Sequence, residues 1–166
     1  MALIVQKYGG TSVADADRMR AVAENIAFTR RQGHDVVVVV SAMGKETDNL
    51  IALANAVSKT QPGREMDMLL TVGERKSMAL LCMALADLGV DALSFTGSQV
   101  GIITDAAHTR AKILEVRGDR VREAVAAGKA TTWSSWSQPW ARRRTTSSPW
   151  PTPSPRRSRG ARWTCC

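Results

Sequence analysis

The sequence predicts an α/β fold, a three-layer sandwich around a mostly parallel sheet, and three observations carry that prediction. Apolar, strand-like runs alternate with segments of helical period as far as Lys129, the pattern of strands joined by crossover helices. The run from Val36 to Val40 is continuous valine, as a strand covered on both faces requires. Glycines and capping residues stand where the helical segments should begin and end.

Ala2 to Gln6 reads as a short buried strand running into Lys7-Tyr8-Gly9-Gly10-Thr11-Ser12. Asp15 or Asp17 caps the next helix, whose apolar positions Met19, Val22, Ala23 and Ile26 recur at helical spacing. Gly33 closes it, where a left-handed residue costs least. After the valine strand, Ser41 to Glu46 is a loop, Thr47 to Ser58 a second helix, and Thr60 to Arg64 a connection. Glu65 to Leu88 keeps a helical period throughout. Gly73 in its middle costs about 1 kcal/mol relative to alanine, which predicts a break or the close approach of a ligand. Gly89 caps that segment, and Val90 to Phe95 reads as a third strand. Thr96 to Asp105 is a loop, Lys112 to Val116 a short strand, and Asp119 to Ala127 a helix closed by Gly128. A further buried strand should follow. The sequence continues instead with Thr131-Thr132-Trp133-Ser134-Ser135-Trp136, which has neither a period of 2 nor one of 3.6. The fold is therefore expected to occupy residues 1–129, with 130–166 a disordered, non-native tail.

The composition supports that division. The net charge is +8, yet seven of the 23 basic residues and none of the 15 acidic ones lie after Lys129. All five tryptophans and all prolines but Pro62 lie there too. The body is nearly neutral and reads as an ordinary cytoplasmic protein, with no membrane span and no signal-peptide core. Cys82, Cys165 and Cys166 offer neither a disulfide framework nor a metal spacing. His34 and His108 have no ligand neighbours at suitable spacing and read as surface residues. Met66, Met68, Met78 and Met83 read as core filling, and Arg18, Arg20, Arg30 and Arg31 as the solvated face of a helix.

Chemistry concentrates at predicted strand ends, where ligands of open α/β sheets gather. In Lys7-Tyr8-Gly9-Gly10-Thr11-Ser12 the paired glycines let backbone N–H groups approach an anion, the helix behind them adds its positive end, and Lys7 supplies a point charge. The same segment is also compatible with a plain tight turn and a solvated lysine. Ser41-Ala42-Met43-Gly44 and Phe95-Thr96-Gly97-Ser98-Gln99 close the second and third strands, and Thr71-Val72-Gly73-Glu74-Arg75 lies within the interrupted helix. Ser41, Thr47 and Glu74 have local alternatives as helix caps and a solvated charge. Gly44-Lys45-Glu46-Thr47 lacks the upstream glycine of a Walker A loop.

Taken together, KYGGTSV (7–13), VVVVVSAMGKET (36–47), REMDMLLTVGER (64–75) and SFTGSQVGIITD (94–105) resemble the aspartate kinase catalytic domain of the amino-acid kinase family. The resemblance spans about 129 residues and implies ATP-dependent phosphorylation of the L-aspartate side-chain carboxylate. It assigns phosphoryl stabilisation to Lys7 and nucleotide contacts to Lys7, Tyr8, Gly9, Gly10 and Ser12. Ser41 and Thr47 would line the aspartate pocket, and Glu74 would take the substrate ammonium. Mg²⁺ would arrive with ATP, held mainly by phosphate oxygens, and full-length members form homo-oligomers. The family continues with a GRGGSD-type segment, a TDVDG-type nucleotide site and ACT domains, none of which follows Lys129. This chain is accordingly expected to be a truncated member without turnover.

Residues 130–166 admit two explanations. Arginine interleaved with tryptophan can stack on and neutralise a single nucleic-acid strand, although the tail holds no recognisable module. Alternatively, GC-rich coding DNA read in a wrong frame yields Arg, Pro, Ser, Thr and Trp without acids. If Thr132 to Ser137 are encoded ACN-TGG-TCN-TCN-TGG-TCN, regrouping from the last base of the threonine codon gives NTG-GTC-NTC-NTG-GTC. That is a run of apolar residues, the buried strand wanting at this place.

Overall fold

A computed structural model describes residues 1–108 and 110–134. Its main sheet contains β1 (Leu3–Tyr8), β2 (Asp35–Val40), β3 (Ala92–Phe95) and β6 (Ala130–Ser134). The spatial order is β1-β2-β6-β3, and every pairing is parallel. A separate antiparallel hairpin joins β4 (Ile102–Thr104) to β5 (Ile113–Val116). The helices are α1 (Ala16–Arg31), α2 (Glu46–Val57), α3 (Gly63–Asp87), α4 (Gly97–Val100) and α5 (Asp119–Ala126). The expected α/β architecture with a mostly parallel sheet is present.

The core forms where the valine strand meets two helices. Val36, Val38 and Val40 are fully buried and pack with Met19, Val22, Ala23 and Ile26 of α1 and with Met78, Leu81 and Leu85 of α3. The capping choice at α1 falls on Asp15, whose Oδ1 accepts the Arg18 N–H at 2.9 Å. Gly33 follows α1 with a φ of 82°, the left-handed conformation expected of it. Arg30 departs from the solvated-face reading. It is largely buried, paired with Asp35 at 2.8 Å, and donates to the Gly128 carbonyl, so it ties α1 to the turn before β6. Met66 and Met78 fill core, whereas Met68 and Met83 are exposed.

Two expectations need correction. Helix α3 is continuous through Gly73, with no break. A Cβ at Gly73 would lie 3.1 Å from Glu46 Cγ and 3.3 Å from Ala42 Cβ. The glycine exists because other protein segments pack there.

The second correction concerns the end of the fold, expected at Lys129. Ala130–Ser134 forms β6, an interior strand that fills the slot between β2 and β3. Ala130, Thr131 and Thr132 are buried. Threonine and tryptophan are good strand formers, and a slot with a strand on either side satisfies their backbone whatever the side-chain pattern. The edges of the described sheet are therefore β1 and β3. The rest of the predicted tail, 135–166, lies outside the described residues.

Strand β6 carries a cost. Thr132 Oγ1 lies 3.2 Å from Cys82 Sγ, but Thr131 Oγ1 is buried with no hydrogen-bond partner. An orphaned buried hydroxyl costs about 1–3 kcal/mol. Thr131→Val, of nearly the same shape, should therefore raise unfolding stability by about that amount, measured as the urea midpoint at constant m-value. A lower midpoint would show that the hydroxyl is satisfied.

Candidate functional site

The carboxyl ends of β1 and β2 lie side by side, and their loops continue the parallel ladder past the strands. The Ser41 N–H donates to the Tyr8 carbonyl at 3.1 Å, and the Gly44 N–H donates to the Gly10 carbonyl at 3.0 Å. Gly10 begins a single 3₁₀ turn, Gly10–Val13, and a Cβ on it would lie 2.7 Å from the Ala42 carbonyl oxygen. Only glycine lets the two loops approach this closely. Gly10→Ala should therefore part the strand tips and cost about 1–3 kcal/mol of stability, read by chemical denaturation; an unchanged midpoint would contradict that contact.

Gly9 is glycine for a different reason. A Cβ on it would meet nothing within 4 Å, so its backbone borders open space. The Ser12 N–H closes the turn onto the Gly9 carbonyl at 2.9 Å, and the Ser12 side chain is exposed. Lys7 stands on β1 just before this turn, exposed and without an ion-pair or hydrogen-bond partner among the described residues. Tyr8 does not accompany it. Successive strand residues point to opposite faces, so the Tyr8 ring packs against the core and its hydroxyl donates to Gln6 Oε1 at 3.1 Å. Burial raises the Tyr8 pKa. Tyr8 contributes its backbone to the loop, while its side chain faces the core.

The acidic part of the site is Glu74, on the face of α3 turned toward the β2 loop. Its residue is 1% exposed, and the Ala42 N–H donates to its carboxylate. The other oxygen, Oε2, is buried without any partner. Burial pushes the Glu74 carboxyl up to about 7, with the Ala42 hydrogen bond pulling weakly the other way. The local alternative of a solvated helix charge is therefore excluded for Glu74, and a buried orphan oxygen favours a donor, above all a cationic one. Ser41 is half-buried at the tip of β2, one residue before Ala42. Thr47, also half-buried, lies in the first turn of α2 beside Glu46, whose stem crosses Gly73.

The structure thus gathers Lys7, Gly9, Gly10, Ser41 and Glu74 around the tips of β1 and β2. It does not bring Thr96 to Gln99 into that group, because β6 separates β3 from β2. Those residues serve each other in a capping box at α4: Thr96 Oγ1 accepts the Gln99 N–H, and Gln99 Oε1 accepts the Thr96 N–H at 2.9 Å. Three contributors escaped the sequence reading: the Ala42 N–H, Glu46, and Lys76, whose Nζ lies 3.2 Å from Glu46 Oε1. A backbone donor has no sequence signal, and Glu46 and Lys76 are too far apart in the chain to be paired by spacing. His108, read as an unengaged surface residue, places Nδ1 3.3 Å from the Asp67 carboxylate. No group of three or more His, Cys, Asp or Glu among the described residues is placed to hold a metal ion, and no helix among them is long and apolar enough to cross a membrane.

Residues 2–136 match the model of the amino acid kinase family. The chain belongs to the amino acid kinase family. Within the family it is 60% identical over 129 residues to an aspartokinase of Mycolicibacterium smegmatis, covering 78% of this chain and 31% of that protein. An aspartokinase of Thermus thermophilus is 53% identical over 128 residues, covering 77% of this chain and 32% of the relative. The chain thus spans about a third of the length of the curated relatives it matches. A crystal structure of aspartate kinase from Synechocystis superposes with a TM-score of 0.68 at 47% identity, covering 78% of this chain and 21% of that one. A structure of E. coli aspartokinase III in complex with aspartate and ADP superposes with a TM-score of 0.64 at 21% identity, a likeness of fold alone. It covers 80% of this chain and 40% of the other. The matched relatives and structures give the nucleic-acid reading no support.

Proposed function

We propose that residues 1–129 are the front part of an aspartate kinase catalytic domain, which phosphorylates the side-chain carboxylate of L-aspartate with ATP. The observation that carries this reading is the pairing of two unlike subsites on adjacent strand tips. One is a free lysine beside an open glycine turn; the other is a buried carboxylate with an orphaned oxygen. The first suits phosphate and the second suits an ammonium group.

The chemistry needs little from the protein beyond charge and position. The attacking carboxylate is already an anion, so no general base is required, and the barrier is repulsion between two anions. Lys7 would neutralise charge on the transferring phosphoryl group, while the backbone at Gly9 and Gly10 and the Ser12 hydroxyl would offer donors to it. Glu74 would hold the substrate ammonium on Oε2, and Ser41 and Thr47 would flank the rest of the amino acid. Mg²⁺, held on phosphate oxygens, would supply further charge neutralisation.

The residues after Lys129 are proposed to be out-of-frame translation in which β6 retains a strand slot with substitute side chains. Sequencing the gene across codons 125 to 166 tests this: AGY codons at Ser134, Ser135 and Ser137 would refute the regrouping. A chain with the frame restored should convert aspartate and ATP to an acyl phosphate trapped as its hydroxamate. Absence of hydroxamate from a folded, restored chain would refute the assignment, and the chain as written should give none.

A further inference from the structure

We propose that Lys76 and Glu46 are positioning residues for the acidic subsite: their ion pair holds the start of α2 against α3 and keeps the Glu74 carboxylate seated on the Ala42 N–H. The part concerning substrate rests on the reading of Glu74 as the ammonium acceptor; the geometric part does not.

Residues three and four apart on a helix share a face, so Gly73, Lys76 and Ser77 line one side of α3. On that side the bare glycine admits Glu46 Cγ and Ala42 Cβ, and Leu50 Cδ1 would stand 3.5 Å from a Cβ built there. The Glu46 stem therefore lies across α3 at Gly73, and its carboxylate reaches the next turn, where Lys76 Nζ meets Oε1 at 3.2 Å. Ala42 lies in the short connection between β2 and α2, and Glu46 directly follows that connection. Ala42 supplies the N–H that seats Glu74, and Glu46 begins the helix carrying Thr47. One ion pair thus closes a loop of contacts Ala42–Glu74–Gly73–Lys76–Glu46 around the acidic subsite. No side chain caps the start of α2, so the helix end depends on packing for its place. The Lys76 and Glu46 side chains are 45% and 25% exposed, too accessible for the pair to matter much to stability. Its consequence is position.

The test uses the full chain with ¹³C at the glutamate carboxyls, followed by NMR against pH. If the clamp operates, Lys76→Met frees the Glu46 stem, admits water to Glu74 and lowers its titration midpoint toward the ordinary carboxylate range. Loss of the lysine charge without movement does the opposite, because removing a nearby cation raises a carboxyl pKa. A raised or unmoved midpoint overturns the proposal. Gly73→Ala displaces the same stem from the other side and should lower the midpoint as well, which keeps the test open if Lys76→Met does not fold. Lys76→Arg should restore the wild-type midpoint. Titration of L-aspartate into the same samples should show Lys76→Met binding roughly 3- to 10-fold more weakly. Unchanged affinity in Lys76→Met would remove the clamp from substrate binding. A wild-type chain that ignores aspartate would instead overturn the reading of Glu74, and the unliganded midpoints would still decide the clamp.

Discussion

Lys7→Ala, made in a chain whose frame is restored after Lys129, should lower kcat by about 10³-fold while leaving the KM for aspartate nearly unchanged. Lys7 makes no ion pair among the described residues, so its charge is not spent on structure. It stands at the end of β1 beside the open backbone of Gly9, where an anion can approach. A cation in that place acts chiefly as negative charge moves onto the transferring phosphoryl group, so its removal is felt in the transition state more than in substrate binding. Lys7→Arg should recover only part of the rate, since a planar guanidinium replaces a point charge. The measurement is steady-state hydroxamate formation at varied aspartate. A restored enzyme that turns over normally without Lys7 would remove the assignment, and a pure KM effect would move Lys7 from phosphoryl to aspartate binding.

Glu74→Gln should make the protein more stable above neutral pH and flatten its stability profile between about 4.5 and about 7. The sign follows from the raised folded-state pKa of about 7 against an ordinary value of 4.5. Between those values the unfolded chain has released the proton and the folded chain retains it, so stability falls as pH rises through the window. The loss reaches on the order of 3 kcal/mol at most above pH 7, and glutamine abolishes it because it never ionises. Urea midpoints of the two proteins at pH 4, 6 and 8 check this, and parallel profiles would show that Glu74 titrates normally. Function should move the other way. In the restored enzyme the same substitution should raise the KM for aspartate by about 10- to 100-fold, the cost of losing a buried anion opposite an ammonium. Wild-type affinity for aspartate should rise with pH up to about 7, since the ammonium prefers the ionised carboxylate. The residue that costs the fold stability is thus the one proposed to receive the substrate.

Local physics decided a good deal of this molecule. Asp15 caps α1 because its side chain reaches an N–H three residues on, and Val36, Val37, Val38 and Val40 of β2 are buried because so continuous an apolar run is driven under cover. Lys7, Gly9, Gly10 and Glu74 were legible as candidates because they stand at strand ends or beside a helix glycine, where backbone and charge become available. The remainder depended on contacts between residues distant in the chain. Gly73 was readable as a break or the close approach of a ligand, and only the packing of α2 and the β2 loop shows that Glu46 and Ala42 are what approach. Tyr8 fell on the core side of β1, a matter of strand register that a neighbouring lysine and glycine pair does not reveal. Glu46 and Lys76 meet only because α2 lies on α3. Strand β6 is the clearest case. Its residues lack strand periodicity, and they became an interior strand because β2 and β3 leave a parallel slot whose backbone groups must be paired. Side-chain pattern governs which elements can form by themselves, whereas backbone hydrogen bonding inside a sheet recruits whatever segment arrives at the gap.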